Sequence, residues 1–135
     1  MNDSLLCIYN SIEVTKALNQ MHPFKTHGPD SMSPIFYQKY WYIVGSDVTR
    51  EVLKFLNKDI SPTNINHTYV VLNPKCQNPY NNTQFHPVSL CNIVYKLASK
   101  VLANRIRSIL SKVISPCQSA FMLGCLITYN ILISC

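Results

Sequence analysis

Acidic residues stop at Asp59: residues 60–135 contain neither Asp nor Glu. That stretch therefore has no carboxylate for general acid–base work and none to hold a hard divalent cation such as Mg²⁺. Glycine is scarce, with three in 135 residues, which excludes a glycine-rich phosphate loop. The six cysteines (Cys7, Cys76, Cys91, Cys117, Cys125 and Cys135) form no C-x-x-C pair, and the four histidines are scattered. This pattern argues against a zinc site and against a small secreted disulfide scaffold, and it places reduced thiols in cytoplasm or nucleus. The N-terminus, MNDSLLCIYN, lacks the basic and long apolar regions of a signal peptide. Charged residues make up only 13% against 47% hydrophobic, too apolar a balance for a disordered tail. No internal repeat or low-complexity tract is present.

What remains is one domain's worth of chain with an uneven charge distribution. Residues 1–59 hold six cations (Lys16, Lys25, Lys39, Arg50, Lys54 and Lys58) and all six acids, so they are neutral overall. The whole net charge of +6 sits on residues 60–135, as Lys75, Lys96, Lys100, Arg105, Arg107 and Lys112. An acid-free basic half attracts phosphate, and with it nucleic acid. After Lys112 the chain is uncharged, but Pro116, Gln118, Ser119, Asn130 and Ser134 interrupt its apolar runs. A buried segment of a larger core is expected there, not a membrane span.

Local signals predict an α+β fold. Asn10 and Glu13 have capping-box spacing ahead of Val14, Ala17, Leu18 and Met21, which predicts a helix over 11–21 ended by His22-Pro23. Gly28-Pro29-Asp30 marks a turn. Ser33-Pro34 opens a helix expected over 34–44, and Gly45-Ser46 separates it from another over 47–57. The β-branched run from Thr68 predicts a strand over 68–73. A polar loop, 76–84, leads to a second extended piece over 85–89, so a hairpin with an irregular tip is expected. The apolar period then returns over 92–114, and Ser115-Pro116 ends that helix. Lys96, Lys100 and Arg107 fall on one face of it, with Arg105 and Lys112 on the edges. Three parts result: helical 1–60, a hairpin in 61–91, and a basic helix with an uncharged tail over 92–135.

Four blocks carry a family resemblance: QMHPFKTHGPDSMSPIFYQKYWYIVGSDV (20–48), VVLNPK (70–75), FHPVSLCNIVYKLASKVLANRI (85–106) and QSAFMLGCLITYN (118–130). In this order and spacing they resemble the reverse transcriptase of LINE-type (non-LTR) retrotransposons, plant ones in particular. The resemblance implies the fingers of a right-hand polymerase and the approach to its palm. It implies that Lys75 and His86 lie near the triphosphate of the incoming nucleotide, with His86 standing where the family carries Arg. It implies that Gln118 and Phe121 lie near the template–primer, and that an RNA template or RNA/DNA hybrid and a dNTP are the partners. Its palm aspartates and Tyr-x-Asp-Asp motif follow the QSAF block, so the 135 residues are expected to be an inactive fragment awaiting a palm. The complete enzyme needs Mg²⁺; this chain supplies no site for it. Departures fall at His27 (usually Pro), Ser31 (usually Gly), Asn73 (usually Ile), His86 and Cys125 (usually Arg) and Tyr129 (usually Asp).

The candidate nucleic-acid contacts are therefore Lys96, Lys100, Arg105, Arg107, Gln118 and Phe121. A solvated helix face is the plain alternative for the cations. Asp47 and Glu51, at i and i+4, read as a solvated charged face because Arg50 and Lys54 lie beside them. The Tyr37, Tyr40, Trp41, Tyr42 cluster reads as packing before base stacking. The whole-chain alternatives are a small basic nucleic-acid-binding module and a non-functional retroelement relic.

Overall fold

The computed structural model describes residues 5–58 and 66–113. They contain helices α1 (Ser11–Asn19), α2 (Pro34–Lys39), α3 (Trp41–Lys58) and α4 (Ile93–Val113), and strands β1 (Thr68–Pro74) and β2 (Phe85–Cys91). The fold is α+β, with one two-stranded antiparallel sheet among the described residues. Contacts divide the chain into a unit of Ile8–Val101 and a second made of residues 1–7 and 102–135.

In the larger unit α1 starts where the capping box requires. The Asn10 side chain accepts from the Glu13 N–H at 3.1 Å, and the Glu13 carboxylate accepts from the Asn10 N–H at 3.1 Å. Together they satisfy two of the orphan donors of the first turn. The last turn of α1 is closed from outside its own sequence. The Gln38 amide on α2 donates to the carbonyls of Leu18 and Met21 at 3.0 and 2.9 Å.

The expected break at Gly45 lies instead at Tyr40, and the helix expected over 47–57 begins at Trp41. Gly45 stays helical because it makes room for a ring. A Cβ there would stand 2.8 Å from Cδ2 of Trp41, so hydrogen in that place lets the indole lie against the helix. Packing overrides the intrinsic helix penalty of glycine, about 1 kcal/mol.

The core joins Val14, Ala17 and Leu18 of α1 and the following Met21 to Tyr37, Val52, Ile93, Leu97, Ala98 and Val101. Leu18, Ile93 and Leu97 are at most 1% exposed, and each such side chain contributes about 1.5–3 kcal/mol. The apolar positions read from sequence on the first helix reach this core, and so do Leu97, Ala98 and Val101 of the last helix, whereas Ile106 and Val113 are exposed.

The hairpin is in register from Thr68 opposite Cys91 to Pro74 opposite Phe85. Its irregular tip is held by Gln84, whose side-chain carbonyl accepts from the Tyr80 and Asn81 N–H groups at 2.8 and 3.1 Å. Along β1 both faces are open: Tyr69, Val70 and Leu72 are 59, 63 and 54% exposed. Asn73 is exposed too, so its amide carries no desolvation penalty here.

In the smaller unit the described residues are 5–7 and 102–113. Arg105 there donates to the carbonyls of Leu5 and Cys7. No described helix is long and apolar enough to cross a membrane.

Candidate nucleic-acid interface

Lys75 follows β1 directly and sits at the hairpin tip. Its N–H donates to the Gln84 carbonyl at 2.8 Å, and its ammonium donates to the Thr83 carbonyl at 3.0 Å. His86 is exposed and pairs with Asn73. Cross-strand partners share a face, and residues two apart on a strand return to it, so Asn73 and His86 lie on the face that Lys75 would extend. Both residues assigned to nucleotide through the resemblance thus lie at the same end of the hairpin, on either side of the tip that joins Pro74 to Phe85.

The first turns of α4 form a second basic centre. They meet the loop before α2 at a buried glycine. A Cβ on Gly28 would stand 2.5 Å from the Asn92 nitrogen and 2.5 Å from the Cys91 carbonyl carbon, so only glycine fits that approach. The expected turn forms, with the Ser31 N–H donating to the Gly28 carbonyl at 3.0 Å. Two further hydrogen bonds dock it. The Asn92 side chain accepts from the Asp30 N–H at 3.3 Å, and the Lys96 ammonium donates to the Thr26 carbonyl at 2.6 Å.

This docking brings Lys25 beside Lys96 and Lys100. The three line a cavity of about 390 Å³ together with Gln20, Met21 and His22. Among the described residues no carboxylate lines it. The Lys96 pKa is lowered, first by burial; Cys91 and Asp30 oppose that shift, while the Lys25 charge adds to it. The Lys25 contribution reports two cations close enough to feel one another. A larger depression of about 530 Å³ along α1 has one cation among its described lining residues, Lys16, with Ser11, Ile12, Thr15, Asn19 and Gln20, and these offer no comparable concentration of charge.

Sequence reasoning therefore named two members of this cavity, Lys96 and Lys100, and missed Lys25 and His22. Lys25 lies in the electrically neutral half of the chain, where counting charge could not single it out. The usable signal was the glycine at 28, since a turn that packs against another backbone carries its neighbours there.

Arg107 is exposed on the smaller unit, whereas Arg105 is engaged with the backbone of residues 5 and 7. Gln118 and Phe121 lie outside the described residues, as does the uncharged tail. The paired acids of α3 do not form a Mg²⁺ site. Asp47 pairs with Arg50 at 2.7 Å and Glu51 with Lys54 at 3.4 Å, all on the exposed side of α3. Among the described residues no group of three potential metal ligands comes together.

No family profile matches the chain. It is 30% identical over 119 residues to the Transposon TX1 uncharacterized 149 kDa protein of Xenopus laevis. That alignment covers 88% of the chain and 9% of the transposon protein, so the chain corresponds to a small part of its relative's length. A transposable-element origin is thereby supported.

Proposed function

We propose that this chain is part of the fingers of a retrotransposon reverse transcriptase of the LINE type, and that its role is to hold the phosphates of an RNA template or RNA/DNA hybrid. The observation that carries the reading is the meeting of the first and third resemblance blocks at Gly28 and Asn92, beside a cavity whose described lining holds three lysines and no carboxylate. The transposon relative supports a transposable-element origin, and residues 20–48 resemble the plant elements in particular. Lys75 and His86 at the hairpin's tip end are the residues for the incoming nucleotide's phosphates. Polymerisation itself belongs to a palm carrying carboxylates, since residues 60–135 have none.

The test is binding of a primed RNA template by the purified chain across a salt series. Neutralisation of roughly three to five phosphates gives a log–log slope of about −2 to −5. No dNTP is incorporated with Mg²⁺. Binding that ignores salt contradicts the interface, and template-dependent incorporation by the chain alone contradicts the division of labour with a palm.

A further inference from the structure

We infer that Lys25, Lys96 and Lys100, with Gln20 and His22 beside them, form a seat for a single phosphate group, distinct from the hairpin end that bears Lys75 and His86. This rests on the nucleic-acid reading above and specifies how one part of that interface works.

Lys25 comes from a loop and Lys96 and Lys100 from successive turns of α4, one helical turn apart, so three lysines line one cavity from two elements. Lys96 is held by the Thr26 carbonyl, which fixes one wall of the cavity without cancelling its charge. His22 contributes a donor as well. Its Nδ1 accepts from the Phe24 N–H at 3.3 Å, which leaves Nε2 as the ring's donor. The Gln20 side chain offers an amide N–H₂. Among the described residues, cations and donors thus line the cavity with no carboxylate, which suits a tetrahedral oxyanion. Asp30 also acts on Lys96, and its influence ranks behind burial, Cys91 and Lys25. A bound phosphate would relieve the repulsion between Lys25 and Lys96. The phosphate can be presented by a polynucleotide backbone or by a free nucleotide, and the chemistry of the seat is the same for both.

The experiment measures binding of a short fluorescein-labelled oligouridylate by fluorescence anisotropy over a salt series. It compares the native chain with Lys25→Gln, Lys100→Gln and their double variant, and uses Lys16→Gln as a control. Lys96 is left intact so that its bond to Thr26 still docks the loop, and thermal melts confirm native folding of each variant. If both lysines serve one phosphate, each single variant weakens binding about tenfold at low salt and the double is little worse than either. The slope of the double then flattens by about 0.7, the value for one phosphate on a single strand. Lys16→Gln leaves slope and affinity unchanged.

Inorganic phosphate and dTTP, added as competitors, distinguish the sources. Competition by either at concentrations comparable to the oligonucleotide assigns the seat to a free phosphate, and competition only at far higher concentrations assigns it to the backbone. A double variant with native slope, or one flattened by twice the single-phosphate value, overturns the single seat while the broader reading stands. Loss of salt-dependent binding by the native chain overturns both.

Discussion

The Lys96 ammonium and the Thr26 carbonyl, 70 residues apart in sequence, are joined by a 2.6 Å hydrogen bond. The bond ties the loop that carries Lys25 to the helix that carries Lys100. It also places a cation where burial disfavours it, and that has a consequence for pH. The folded-state pKa of Lys96 lies below its ordinary 10.5, so between those values the unfolded chain binds the additional proton. Stability attributable to Lys96 therefore rises with pH through that window. Tyr37 has the opposite sign: burial first, and Asp30 second, raise its pKa above 10.0, so its contribution is intact below 10.0 and falls as pH climbs toward the raised value. Urea midpoints measured from pH 8 to 11 should show Lys96→Met losing the rise and Tyr37→Phe losing the fall. Parallel curves for all three proteins would contradict these assignments.

Gly45→Ala should destabilise the protein. Exchange of glycine for alanine inside a helix ordinarily gains about 1 kcal/mol. Here the new methyl would meet Trp41 at 2.8 Å, and overpacking of this kind costs about 1–3 kcal/mol. Chemical denaturation decides the sign, and a stabilised variant would show that the indole moves aside freely.

Ser31→Gly should stabilise it. Ser31 has φ of 56°, in the left-handed region where a side chain costs roughly 1–2 kcal/mol and glycine does not. The resembled family usually has glycine at this position, and the turn geometry gives the reason. Part of the gain is offset by the greater freedom of glycine in the unfolded chain, so about 0.5–1 kcal/mol is expected. Denaturation midpoints check it, with Ser31→Val as the destabilised counterpart.

The helices and the hairpin were readable from the sequence because their determinants are local. Asn10 and Glu13 cap one another, Pro34 sits at a first helical position, and Thr68–Leu72 is rich in β-branched residues. The break at Tyr40 was not readable. Gly45 looks like a helix breaker until the Trp41 ring is known to lie over it. The site divided in the same way. Lys96 and Lys100 stood out through their spacing on one helix, and Lys75 and His86 through the resemblance. Lys25 and His22 reach the cavity only through tertiary contact at Gly28, and no periodicity within residues 20–28 reports on a helix that begins at Ile93.

Gly28→Ala should loosen the basic cavity without touching any of its charges. A methyl 2.5 Å from the backbone of Cys91 and Asn92 cannot be accommodated by side-chain adjustment, so the loop must withdraw. Amide hydrogen exchange at residues 26–31 should accelerate, and oligonucleotide affinity should fall about as far as in Lys25→Gln. Native exchange rates with native affinity would show that the loop's docking is immaterial to the cavity.

The most direct measurement is photocrosslinking of the chain to a primed RNA template carrying 4-thiouridine, followed by identification of the crosslinked peptides. Crosslinks are expected in residues 20–26 and 95–101, which border the lysine cavity, and in residues 69–86 of the hairpin. Crosslinks confined to the Asp47–Lys54 side of α3, or absent altogether under low-salt binding conditions, would contradict a nucleic-acid interface built from the Gly28 loop, the hairpin and the start of α4.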